Sequence, residues 1–114
     1  MGYIDVDTGL MYCGDDEDIY SDVLNLYIQL INESKQVLTE TLEAGDIPAY
    51  TVRVHAVKSN SRNVGAAGIG DMAEKLEMAG KENNVDFIKE NTPALLKVLD
   101  EAEAEAKQLL DEGF

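Results

Sequence analysis

Apolar residues recur along this chain at spacings of three and four over four stretches, the period of helices that each bury one face. In the first, Ile19, Val23, Leu26/Tyr27, Leu30/Ile31, Val37/Leu38 and Leu42 share a side. The pattern lapses from Asn32 to Gln36, which reads as a kink or a solvated turn, and Ala44-Gly45 ends the element. The second stretch has the most regular stripe: Ile47, Tyr50, Val54, Val57, Ser61 and Val64 follow one another at spacings of 3, 4, 3, 4 and 3. Asp46 is placed to cap it, and Pro48 falls in the first turn, where a missing N–H costs little. Gly65, Gly68 and Gly70 punctuate its exit. A third, shorter stretch carries Ile69, Met72, Ala73, Leu76 and Ala79 on one face and closes at Gly80 and Asn83-Asn84. The last opens on Val85, Phe87 and Ile88 and meets Thr92-Pro93, which either cap a fresh helix or kink a continuous one. Leu95/Leu96, Leu99, Ala102, Ala106 and Leu109/Leu110 carry it onward.

Ahead of these, Tyr3 to Asp7 read as an extended lead-in, with Asp7 or Thr8 capping a brief helix through Cys13 that Gly14 stops. Asp15 to Asp18 then supply the negative first turn that a helix N-terminus favours. Nothing alternates with the period of two that a strand requires. Short connections make antiparallel neighbours, so the pattern predicts an all-α chain: an up-and-down antiparallel four-helix bundle with a short extra N-terminal helix. A length of 114 residues suits one domain, residues 1–114, with one core.

Charge narrows the function. Against 9 Lys and Arg the chain has 23 Asp and Glu, a net charge of −14. That balance argues against nucleic-acid backbones and anionic membrane surfaces, both of which attract clustered cations. No apolar run is long enough to span a bilayer and no signal-peptide pattern opens the chain, so membrane insertion is not expected and the expected compartment is the cytoplasm. Cys13 is the only cysteine, which excludes an internal disulfide and a thiolate metal site.

One window breaks the acidic trend. From Ile47 to Gly70 there is no Asp or Glu, while Arg53, Lys58 and Arg62 fall there together with His55, the only histidine. At about 100° per residue, His55 lies roughly 135° around the helix from the buried stripe and should be exposed. Lys58, Ser59 and Arg62 share its side, since residues three and four apart are surface neighbours. An accessible neutral imidazole is a nucleophile at neutral pH. Phosphoryl transfer asks mainly for in-line positioning and positive charge near the phosphoryl oxygens. Lys58 would supply that charge, Arg62 a more distant donor, and a small residue at 59 leaves room for a partner to close over the ring. The absence of carboxylates nearby in sequence is expected to spare a phosphorylated His55 from repulsion. Other chemistries fit less well. No acid lies close in sequence to orient the imidazole as in a Ser-His-acid triad. No Glu-x-x-His pair supports a di-metal bundle site, and no metal site is expected. The Gly65-x-x-Gly68-x-Gly70 run lacks the strand and the Gly-Lys-Ser/Thr of a phosphate loop.

The run His55-Ala-Val-Lys58-Ser-Asn-Ser-Arg-Asn-Val-Gly65-Ala resembles the signature of histidine-containing phosphotransfer (HPt) domains, roughly His-x-Leu-Lys-Gly followed by Gly-Ala at a fixed distance. The likeness continues through Met72 to Ala79 and, upstream, through Gly9-Leu10, Asp15 to Tyr20 and Ala44-Gly45-Asp46, so it covers nearly the whole chain. It implies a phosphorelay carrier of two-component signal transduction. His55 would accept a phosphoryl group from the aspartyl phosphate of a receiver domain and pass it to another receiver. Lys58 would be the phosphate-stabilising cation and Gly65 a packing residue where helices approach closely. The implied partners are response-regulator receiver domains and a hybrid sensor histidine kinase. No cofactor is implied on this chain, the Mg²⁺ of such transfers belonging to the receiver. Ser59 departs from the family's usual Gly but remains small, and Val57 stands where Leu is usual.

Without ATP-binding boxes or α/β architecture, the chain is expected to carry phosphoryl groups and not to phosphorylate itself. Val52 and Ala56 are candidates for an apolar rim that docks a receiver. A competing reading is a degenerate member of the same family that docks receivers without accepting phosphate, against which the presence of both His55 and Lys58 argues. An unrelated acidic helical adaptor is a third, disfavoured by the His-to-Gly motif.

Overall fold

A computed structural model describes residues 2–114 of the chain. Among them are five helices and no strand: α1 (Val6–Tyr12), α2 (Glu17–Ala44), α3 (Ile47–Val64), α4 (Ala67–Lys81) and α5 (Val85–Glu112). Each of the four longer helices packs on two neighbours, α2 on α3 and α5, and α4 on α3 and α5, which closes a four-membered ring. The tight connections at Gly45-Asp46, Gly65-Ala66 and Glu82 to Asn84 leave no length for a crossover, so sequential helices run antiparallel. The short α1 lies outside the ring, against α2 and α3.

The helix starts follow local chemistry. Asp16, Asp46 and Asn84 each accept the backbone N–H three residues on, from Ile19, Ala49 and Phe87. The first cap differs from expectation. Asp5, two or three residues ahead of the candidates Asp7 and Thr8, caps α1 by accepting from Thr8 N. Tertiary bonding selects it: the Asp5 N–H is itself held by the Gly65 carbonyl at 2.9 Å, so the chain is already fixed at Asp5. The lapse at Asn32 to Gln36 is neither a turn nor an end, because α2 continues through it with Ser34 buried. Likewise α5 runs unbroken past Pro93, which is exposed while Thr92 and Leu95 on either side are buried. Packing there outweighs the roughly 3 kcal/mol a mid-helix proline costs.

The core fixes α3 from several sides. Its buried residues are Ile47, Tyr50, Val54, Val57, Ser61 and Val64, the stripe that the spacing predicts. Three tyrosines enter the core and each places its hydroxyl on a partner, as a buried O–H must. Tyr20 donates to the Val64 carbonyl at 2.8 Å, Tyr27 bonds Ser61 Oγ at 2.7 Å and Tyr50 bonds Thr92 Oγ1 at 2.6 Å. These bonds tie α2 and α5 to α3, leaving its remaining face to solvent and to α4.

The end of α3 anchors the N-terminal segment. Gly65 holds φ at +96°, and a Cβ there would overlap the Asp5 carbonyl. Its close approach is therefore to the chain ahead of α1. Gly65→Ala is expected to lower stability by more than about 1 kcal/mol, through the left-handed backbone and this overlap together. Chemical denaturation would measure it, with hydrogen exchange at Asp5 rising in parallel. Unchanged stability with unchanged Asp5 protection would contradict this account.

Candidate functional site

α3 presents His55 to solvent, as the helical geometry requires: its side chain is 56% exposed. Val52 is exposed on the preceding turn, while Ala56 and Ser59 are half-buried beside the ring. What faces His55 comes from α4. The two helices run antiparallel and meet in register, Thr51 against Gly80, His55 against Glu77 and Arg62 against Asp71. A Cβ on Gly80 would overlap Thr51 Oγ1, so this glycine lets α4 close on α3 one turn from the imidazole.

That closeness brings in Glu77, which the sequence reading missed. Its carboxylate is buried, with 5% of the side chain exposed, and lies 2.6 Å from His55 Nδ1 and 2.6 Å from Lys58 Nζ. The expectation that no carboxylate lies near His55 is thus overturned. The acid-free window runs along the chain, whereas the nearest acid returns on the facing helix. A signal was present. Glu77 stands four residues after Ala73 and next to Leu76, on the buried stripe of α4, where an unpaired acid would be costly.

Burial by itself would push the Glu77 carboxyl up. The hydrogen bonds from Lys58 and His55, with their positive charge, outweigh it and hold the group down at about 2. Glu77 is therefore ionised at neutral pH and only accepts hydrogen bonds. At 2.6 Å, Nδ1 must then carry a proton, and in the neutral ring the lone pair is left on Nε2. No hydrogen bond among the described residues engages Nε2. The site is an imidazole held by one nitrogen with its nucleophilic nitrogen free.

The other residues singled out from the sequence divide. Lys58 joins the site through Glu77, with its side chain 18% exposed. Arg62 is turned to α4, with Nη2 at 3.1 Å from Asp71 and 3.5 Å from Glu74, so its charge is compensated away from the ring. A further cation, Lys81, reaches Glu77 Oε2 at 3.5 Å. Among the described residues, no three His, Cys, Asp or Glu side chains converge to hold a metal ion. No helix among them is long and apolar enough to cross a membrane.

Beyond Asn60 and Asn63 on α3, an open groove of about 380 Å³ is lined by Tyr12 and Cys13 before α2 and by Ile19, Val23 and Leu26 on it. Tyr12, Ile19 and Leu26 are exposed there, so apolar surface extends from α3 across α2.

A family model described as the Hpt domain matches residues 22–111. Among solved structures, the HPT domain of a hybrid sensor histidine kinase from Shewanella is 18% identical, with a TM-score of 0.88 over 96% of this chain and 95% of that one. Histidine-containing phosphotransfer protein B from Pseudomonas aeruginosa is 23% identical, with a TM-score of 0.77 over 96% of this chain and 92% of its own. Both share the fold. Among curated proteins none matches the sequence.

Because the Glu77 carboxyl is depressed from its ordinary 4.5 to about 2, its contribution to stability is full above pH 4.5 and is lost as pH falls through about 2. Glu77→Gln, which leaves Lys58 without its counter-charge, is expected to cost about 1–3 kcal/mol at pH 7. The difference from wild type should narrow steadily from pH 4.5 toward 2 in urea titrations followed by circular dichroism. A difference that stays constant over that range would show that the ion pairs contribute nothing.

Proposed function

Since this chain belongs to the Hpt domain family, with its histidine phosphotransfer role in two-component systems, we propose that it is a phosphorelay carrier with His55 as the phosphoacceptor. On this reading the Nε2 lone pair attacks the phosphorus of a receiver's aspartyl phosphate in line with the leaving carboxylate. The P–Nε2 bond forms as the P–O bond to aspartate breaks. No proton need leave Nε2, since the attacking lone pair held none, and the ring becomes an N-phosphorylated imidazolium. Its positive charge is offset by Glu77, which keeps its hydrogen bond from Nδ1–H. Transfer onward reverses these events at the aspartate of a second receiver.

The observation that carries the proposal is the pairing of Nδ1 with Glu77, because in the neutral ring it assigns the proton to Nδ1 and the lone pair to Nε2, on a side chain that is more than half exposed. The Mg²⁺ of the transfer is assigned to the receiver. The same reading takes receiver domains and a hybrid sensor kinase as partners, docking around His55 on Val52, Ala56 and the exposed apolar residues of α2. It takes the cytoplasm as the compartment, which the unpaired thiol of Cys13 suits.

Mixing the protein with a phosphorylated receiver and Mg²⁺ is expected to put acid-labile, base-stable phosphate on this chain. Label should fall to background in His55→Gln while helical circular dichroism is retained. Receivers that bind without transferring label to wild type would instead support the docking-only reading.

A further inference from the structure

We propose that the cation that meets the phosphoryl group on His55 is Lys81, and that Lys58 is a positioning residue that holds Glu77 in place. The assignment rests on the carrier reading and deepens it. Both lysines touch the same carboxylate, but on different terms. Lys58 Nζ lies 2.6 Å from Oε1, with its side chain only 18% exposed, against a carboxylate that is itself 5% exposed. Drawing Lys58 away to a phosphoryl group would strip a buried carboxylate of its closest full positive charge, which is strongly unfavourable.

Lys81 is held loosely. Its ammonium lies 3.5 Å from Oε2, the oxygen that already takes the His55 Nδ1–H, and its side chain is 67% exposed. Only the lysine end of this pair is solvated, and its contact is the longer of the two lysine contacts to Glu77, so water can take the place of Glu77 at the Lys81 ammonium more readily than at Lys58. Lys81 is the last residue of α4, on the same side as Glu77 one turn earlier, and its four-carbon stem gives the ammonium a wide sweep. The remaining cations of this face pair with carboxylates other than Glu77. Arg62 pairs with Asp71 and Glu74, and Arg53 reaches Glu33 at 3.9 Å.

The presence of Glu77 gives the movement a purpose. A phosphoryl group on Nε2 brings negative charge to a ring whose other nitrogen already faces a carboxylate. An ammonium that moves from Oε2 toward the phosphoryl oxygens stands between the two anions and attracts both. Oε2 keeps Nδ1–H and Oε1 keeps Lys58, so no buried group loses its partner. No bond beyond those of the transfer itself is made or broken.

The experiment loads the isolated protein with phosphoramidate, so that receiver docking plays no part, and follows the ³¹P resonance of phosphohistidine against pH. Lys81→Met is expected to raise the phosphoryl midpoint by about 0.5, as the loss of a nearby cation requires, while Lys81→Arg stays near wild type. Lys58→Met is expected to leave that midpoint in place but to change the ¹⁵N signals of the unphosphorylated His55 ring. A wild-type midpoint in Lys81→Met, with a raised one in Lys58→Met, would overturn the assignment while leaving the carrier reading intact. Wild type that takes no phosphate on His55 from either phosphoramidate or a phosphorylated receiver would overturn the carrier reading and this assignment with it.

Discussion

A carboxylate enclosed between two helices must be compensated, and the arrangement of this protein's reactive face follows from how Glu77 is compensated. His55 and Lys58, three residues apart on α3, each meet one of its oxygens. The geometry is possible because α4 lies close against α3, where Gly80 faces Thr51 without a side chain between them. In turn α3 is held on its other side by the Tyr20 and Tyr27 hydroxyls of α2 and by the bond of its own Tyr50 to Thr92 of α5. The bundle therefore serves as a rigid frame. It sets the imidazole at a fixed angle, fixes which nitrogen bears the proton and leaves the other one to solvent.

This arrangement changes how the charge of the chain is understood. A net charge of −14 with a cationic patch at the histidine suggests a simple attraction for anions. The structure replaces it with a balanced cluster in which a buried anion is matched by two lysines and an imidazole. On the carrier reading proposed above, such a cluster would accommodate an arriving phosphoryl group through the more exposed of its two lysines. The two lysines differ in how they meet this anion, Lys58 close and largely enclosed, Lys81 farther and exposed, and the proposed assignment rests on that difference.

Much of the fold was legible because burial follows periodicity. The stripe from Ile47 to Val64 is buried residue for residue, and the exposure of His55 is its geometric consequence. Three features were not legible, each for a reason that lies outside local pattern. The continuity of α5 through Pro93 depends on packing around Thr92 and Leu95, which local propensity does not contain. The choice of Asp5 as the first cap depends on a bond to Gly65, sixty residues away in sequence. The site itself was half legible. His55 and Lys58 are one turn apart and can be read together, whereas Glu77 reaches them only through the α3–α4 register. That register is set by side-chain size at Gly80 and by pairs such as Arg62 with Asp71, so an acid absent from the local window still became the nearest one.

Glu77 holds the His55 imidazole through Nδ1, which places the proton of the neutral ring on that nitrogen. Long-range ¹H–¹⁵N correlation spectra of the ring test this most directly. At a pH where the imidazole is neutral, the predicted result is a protonated Nδ1 and a pyridine-like Nε2, with the phosphoryl group appearing on Nε2 after loading. A ring protonated at Nε2, or phosphate found on Nδ1, would contradict it.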